Sequence, residues 1–393
     1  MALDALRGFD MCWILGADAV IGNLGRITQA APIPFLVGQV DHSAWAGFTF
    51  YDLIFPLFVF ITGVSLVFSV SRNLEQHGRA FAVRRILTRS AVLFALGILY
   101  NGGVEHAWPG VRLLGVLQRI ALAYAGAGLL FCFFRYRFRC AASVFLLALY
   151  WALLTFVPVR NLALDRAAIS TQLGTEHPTA AQVQKLYDDT RESVTGRFEP
   201  GLNLANHLDF RFLPGARYDT YWDPEGLLST IPAIATCLLG VMAGCWLRSG
   251  ARAEHGKLKR LVLSGLICLL LGYFWGTEFP IVKKIWTSSF VLVAGGWSLL
   301  LLALFYYVVD VRQWRGWCQP FVWIGLNPIT LYLATALVDF RRIAEHLAGG
   351  SVAAAFDSYL ANGTGALLLS VVELGLLFAL ARFLHRRQIY LRV

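Results

Sequence analysis

Apolar residues run through this chain in blocks of about 20, the length a helix needs to cross a hydrocarbon core. The blocks predict spans near 5–25, 49–70, 86–102, 113–134, 140–157, 226–247, 260–275, 287–309, 319–338 and 364–384, ten in all. The third and seventh are short, and the first is the least hydrophobic because it carries Asp10 and Asp18. Two polar stretches interrupt the series. One is residues 26–48, and the other is an insertion at about 158–225 in which 179–193 is compatible with helix. The pattern predicts an all-α polytopic membrane bundle, a single transmembrane domain over 1–393 that carries the insertion.

Charge gives this bundle an expected orientation. Basic residues fill every second connection: Arg72, Arg79, Arg84 and Arg85; Arg135, Arg137 and Arg139; Arg248, Arg252, Lys257, Lys259 and Arg260; Arg312 and Arg315; then Arg382, Arg386, Arg387 and Arg392. Cytoplasmic loops carry the excess of Lys and Arg, so both termini are expected in the cytoplasm and both polar stretches outside it. For a bacterial chain that means the inner membrane. Composition agrees, since 57% of the residues are hydrophobic and only 15% charged, against about a quarter charged in soluble domains. The net charge of +10 lies in the topological runs, so it does not call for nucleic acid. Seven cysteines without a CxxC pair or a His-Cys cluster predict neither a disulfide framework nor a metal site. No leader pattern precedes the first span, which therefore reads as retained.

Polar side chains inside spans are the candidates for chemistry. An ionisable group at mid-helix costs roughly 2.5–3.5 kcal/mol on insertion scales, so it usually faces a cavity or a partner. Asp18, Asp52, Arg119, Asn327 and Glu373 qualify. Asp18 falls about three turns beyond Arg7, in the outer half of the membrane, and His42 follows in the outer connection, so both can face one outer cavity. The structural alternative has Asp18 capping a neighbouring helix or pairing with Arg119. Imidazole is the side chain best suited to remove a proton near neutral pH, and among the other histidines His106 is the rival by position. Asp223 and Glu225 open the sixth span, as ordinary helix-start acids or as a rim for a cationic or polyhydroxylated substrate. Lys283 and Lys284 stand on the outer face, as interfacial anchors or as contacts to an anionic ligand. No phosphate-binding glycine motif is present. Residue physics alone leaves a transporter and a membrane enzyme unseparated.

Several stretches resemble the heparan-alpha-glucosaminide N-acetyltransferase family. They are Leu3-Asp4-Ala5-Leu6-Arg7-Gly8; His42-Ser43-Ala44-Trp45-Ala46-Gly47-Phe48-Thr49 continuing through Asp52-Leu53-Ile54-Phe55-Pro56 to Gly63; and Arg112-Leu113-Leu114-Gly115-Val116-Leu117-Gln118-Arg119. Further on come Asp223-Pro224-Glu225-Gly226-Leu227-Leu228-Ser229-Thr230, Phe279-Pro280-Ile281-Val282-Lys283-Lys284-Ile285-Trp286, Gly325-Leu326-Asn327 and His385-Arg386-Arg387-Gln388-Ile389-Tyr390-Leu391. They run in order from end to end. The resemblance implies an acetyl-CoA-dependent transfer of acetyl from the cytoplasm to an amino sugar or related glycan outside it, without a metal, by a protein able to form a homodimer. It implies His42 as the catalytic residue, with Asp18 beside it to orient it, where the family's lysosomal member has asparagine. Trp45, Asp52, Gln118, Arg119, Asp223, Glu225, Lys283, Lys284 and Asn327 follow as substrate-binding residues, and Arg7 and Arg119 as contacts to CoA. Gln118, Arg119 or Asn327 would stabilise the oxyanion, and an acetyl-His42 intermediate is the competing route. A transporter or flippase of a sugar or lipid-linked envelope precursor, and a polysaccharide O-acetyltransferase, are the alternative readings.

Overall fold

The computed structural model describes residues 1–105, 107–250 and 254–390; His106, Arg252, Leu391 and Arg392 lie outside the described residues. Helix α1 (Ala2–Cys12) passes through a π-helical turn at Trp13–Ala17 into α2 (Asp18–Ile27). Gly16, inside that turn, has φ 116°, a backbone conformation few residues other than glycine adopt, so the first predicted span is bent in its middle. Helix α3 (Ile33–Val40) then leads to the next span.

The second and third predicted spans form one helix, α4 (Phe50–Tyr100), interrupted at Gly78, where φ 79° and ψ 179° break the helical path. Helices α5 (Val116–Phe133) and α6 (Tyr136–Phe156) follow and precede the insertion. Within the insertion, strand β1 (Val159–Arg160) pairs antiparallel with β2 (Ser193–Val194), and between them lie α7 (Arg166–Leu173) and α8 (Ala180–Asp189). The stretch expected to be helical is α8, started by a reciprocal capping pair between Thr179 and Gln182. Helix α9 (Leu204–Phe212) completes it. Leu162, Leu164, Ile169, Val183, Tyr187 and Trp222 give the insertion a small core of its own.

The chain returns to the bundle with α10 (Thr230–Arg248), α11 (Glu254–Trp275) and α12 (Ser288–Phe305). The ninth predicted span is two pieces, α13 (Gln319–Leu326) and α14 (Pro328–Leu337), bent by 74° at the Asn327-Pro328 junction. Helices α15 (Phe340–Ala348) and α16 (Ser351–Tyr359) precede the last span, α17 (Thr364–Arg386). Among the described residues seven helices have the length and apolarity to cross a membrane, and the bent pair makes an eighth. The expected ten differ from this because the first span is divided at Gly16 and because α4 holds two apolar stretches. The protein is an all-α polytopic membrane bundle. Its centre is the packing of α4 against α10, where Gly63 and Gly240 let the backbones touch: a Cβ on Gly63 would collide with the Cys237 carbonyl, and one on Gly240 with that of Phe60.

Candidate active site at the mouth of α4

The start of α4 builds the site. Thr49 is its N-cap, and Asp52, three residues on, completes a reciprocal capping pair with it. Asp52 Oδ2 accepts from the Thr49 N–H at 3.2 Å, from the Ser43 N–H at 3.2 Å and from the Ser43 hydroxyl at 2.7 Å. That folds the 42–49 loop back over the helix end and leaves Oδ1 facing His42 Nδ1 at 2.9 Å. The carboxylate is buried at 1% exposure while the imidazole is 51% exposed, so the pair has a dry side and an open side.

A second strand of contacts brings in the cation. Gly47 N–H donates to the Ile281 carbonyl at 2.9 Å, and Ala46 forms a bridge with Val282, which lays the 281–284 segment beside the histidine loop. Lys283 Nζ then stands 3.0 Å from His42 Nδ1, 3.3 Å from Nε2 and 3.5 Å from Asp52 Oδ1. Burial lowers the Lys283 ammonium below its ordinary range, and Asp52 opposes that shift.

Asp18 meets Tyr51 rather than His42. Its carboxylate accepts from the Tyr51 hydroxyl at 2.9 Å, and the Tyr51 ring lies 4.8 Å from the imidazole. The acid in contact with His42 is Asp52, expected as a substrate contact, because the capping pair turns it toward the loop. Asp18 and His42 thus share one neighbourhood, with Tyr51 between them. Tyr51 and Ser43 were not singled out from the sequence, although they adjoin Asp52 and His42 in it.

Beside this constellation lies a buried charge network. Arg112, which opens one of the family-like stretches, binds Asp223 through Nε at 2.8 Å and Nη2 at 2.7 Å, and Nη2 reaches Glu225 at 2.8 Å. Both acids are therefore paired with Arg112. They do not begin a helix, since α10 starts only at Thr230. Residues 223–227 form a turn clamped by Asp209 of the insertion, whose carboxylate accepts from the Leu227 and Asp223 N–H groups at 2.8 and 3.3 Å. Burial pushes the Asp209 carboxyl up to about 7, although these N–H groups pull it down.

Arg119 is buried, with Nη2 donating to Ser229 Oγ at 2.5 Å and its guanidinium 4.9 Å over the Trp286 ring. It does not pair with Asp18. Its Nε and Nη1, and both amide atoms of Gln118, are buried with no hydrogen-bond partner among the described residues. Trp45 serves the architecture: its Nε1–H donates to the Phe198 carbonyl at 2.8 Å and its ring meets Trp222 edge-on. The positive charge of Lys284 acts on Asp219 of the insertion, favouring its carboxylate. Asn327 is remote from the site at the α13–α14 bend, where Nδ2 donates to the Ile389 carbonyl at 3.0 Å. Arg7 is engaged by Gly325 O at 3.0 Å, Ser65 Oγ at 2.5 Å and Asp4 at 3.2 Å, so it is not an open basic mouth. Glu373 lies 3.9 Å from Arg341.

Fold and site define the class: an integral membrane helical bundle with an exposed imidazole set on a buried carboxylate beside a lysine. Comparison with known proteins narrows it. The chain is 29% identical over 334 residues to the heparan-alpha-glucosaminide N-acetyltransferase of Mus musculus, covering 76% of this chain and 49% of that protein. It is 29% identical over 319 residues to the enzyme of the same name from Homo sapiens, covering 74% and 48%. No family model matches. The chain spans about half the length of the curated relatives it matches. It is a distant relative of the heparan-alpha-glucosaminide N-acetyltransferases.

Proposed function

We propose that the protein is a membrane acetyltransferase that passes acetyl from acetyl-CoA to the amine of an amino sugar or related glycan. The observation that carries this reading is the Asp52–His42–Lys283 constellation, an imidazole held on a buried carboxylate with its outer side open. With Nδ1–H donating to Asp52, the Nε2 lone pair is the free base. His42 Nε2 takes a proton from the acceptor nitrogen as that nitrogen bonds to the acyl carbon; the C–S bond breaks, and the thiolate leaves with the pair of electrons and is then protonated. Lys283 places positive charge where the carbonyl oxygen and the thiolate become negative. The unpartnered buried donors of Arg119 suit a carbonyl-bearing donor such as a thioester.

The basic connections support entry of CoA from the cytoplasmic side and an acceptor on the opposite face. Thiol release from acetyl-CoA in membranes tests the reading. Multiple-turnover release that depends on an added amino sugar and disappears in His42→Ala supports it; multiple-turnover release that needs no acceptor sinks it, as does no release at all, which leaves a transporter. Hydroxyl-only sugars active in place of amino sugars make the enzyme an O-acetyltransferase. Acetylated protein trapped from acetyl-CoA without acceptor identifies a route through acetyl-His42.

A further inference from the structure

A second polar locus lies at the start of α5, and the proton transfer above does not use it. Gln118 is fully buried, and neither its Oε1 nor its Nε2 has a partner among the described residues. Asn101, which ends α4, has its Nδ2 buried and equally unpartnered. Glycines bring the two amides to one place. A Cβ on Gly115 would stand 2.7 Å from Asn101 Nδ2 and 3.1 Å from Gln118 Oε1, so both side chains border the same point. A Cβ on Gly97 would collide with the Gln118 amide. Gly115 is also the N-cap of α5 and gives no side chain to the first N–H groups of that helix.

The chemistry of this locus is neutral and amide-like. A trans secondary amide turns its N–H and C=O to opposite sides, so donors gathered on one side, such as Gln118 Nε2 and Asn101 Nδ2, match its carbonyl. Burying such groups unmatched among apolar helices is costly, so a ligand that matches them binds with both shape and hydrogen bonds. Resting on the acetyltransferase reading, we propose that Asn101 and Gln118 bind a secondary amide of the pantetheine arm of acetyl-CoA. Gln118 Nε2 and Asn101 Nδ2 donate to its carbonyl. The placement suits the arm. Arg119, the next residue, stacks on Trp286, whose ring is 5.1 Å from that of Phe55, one helical turn from Asp52. In acetyl-CoA the nearer amide is separated from the thioester sulfur by two carbons, so one donor molecule serves both places only with Gln118 within that short reach of the acyl group at His42.

The test is binding of desulfo-CoA, which carries the arm but no reactive thiol, to the purified full chain by calorimetry. Gln118→Leu and Asn101→Ala are each expected to weaken it by ~10-fold or more, the loss of buried hydrogen bonds, while 3′-phosphoadenosine 5′-phosphate, which lacks the arm, binds all forms equally. Thioester turnover gives a second readout: S-acetylpantetheine should lose activity in the variants and S-acetyl-2-mercaptoethanol, which has no amide, should not. Asn101→Ala, at a half-buried helix end, carries the test if Gln118→Leu does not fold. Unchanged desulfo-CoA binding in a folded variant overturns the amide assignment alone. No binding to the unaltered protein overturns the acetyl-CoA reading and this assignment with it.

Discussion

Asp52 Oδ1 lies 2.9 Å from His42 Nδ1 across a loop of nine residues, and the same carboxylate closes the first turn of the helix that follows. A single acid therefore ties the imidazole to the mouth of a membrane span. Asp52, and not Asp18, is the carboxylate in contact with the imidazole.

His42→Ala should reduce acetyl transfer by about 10²–10⁴-fold, the contribution of a positioned general base. Asp52→Asn should fall nearly as far, whereas Asp18→Asn, which can still accept the Tyr51 hydroxyl, should lose no more than ~5-fold. Thiol release from acetyl-CoA in membranes reads all three. A larger loss in Asp18→Asn than in Asp52→Asn would reverse the assignment.

Lys283→Met should slow acetyl transfer by about 10²-fold, the loss of one charge placed where the oxyanion and thiolate develop. Its ammonium stands 3.0 Å from His42 Nδ1, beside the reacting groups. Lys284→Met should slow transfer far less. Thiol release from acetyl-CoA in membranes reads both variants, and equal losses would refute the electrostatic role of Lys283.

Arg112→Met should lower stability by roughly 3–5 kcal/mol, the cost of leaving buried acids without their cation. The Asp223 side chain has no exposure and Glu225 only 13%, so water cannot replace the guanidinium. Thermal unfolding in detergent measures it, and a drop of under 1 kcal/mol would mean that the network is not what holds the 223–227 turn.

The insertion should show opposed pH slopes from two residues of α9. Burial pushes the His207 imidazole down from 6.5 to about 4 and the Asp209 carboxyl up from 3.8 to about 7. Between those limits unfolding takes up a proton at His207, so its contribution grows with pH up to 6.5. Over the same window unfolding releases a proton at Asp209, so its contribution shrinks with pH up to about 7. Each slope is about 1.4 kcal/mol per pH unit, and they nearly cancel. His207→Gln should therefore lose stability as pH rises from 4.5 to 6.5, and Asp209→Asn should gain it. Unfolding midpoints across that range check the signs, and variants that track the unaltered protein would show that neither group titrates in the insertion.

The spans were legible because a bilayer demands long apolar blocks and these are countable. Their breaks were less so: Gly16 and Gly78 are single residues in a chain with 36 glycines, and their effect depends on backbone angles that no composition window registers. At the site, His42 was legible as an imidazole entering a helix. Asp18 was favoured over Asp52 as its partner because membrane depth placed it nearby, and depth says nothing about which way a capped loop folds. The Thr49-to-Asp52 spacing was the available signal, being that of a capping pair with an acid at its third position. Asp209 gave none, since its role depends on the insertion folding back on a turn 14 residues later.

The two oxygens of Asp52 divide their labour, one gathering the backbone of the loop and the other facing the imidazole and lysine. Loop register and base alignment are thereby welded into one chemical group. Any drift of the span's upper end carries the reacting nitrogen along with it, so reagents must be brought to a fixed anvil. Specificity for the acceptor can then be retuned only in the surrounding walls, by residues that leave this carboxylate untouched.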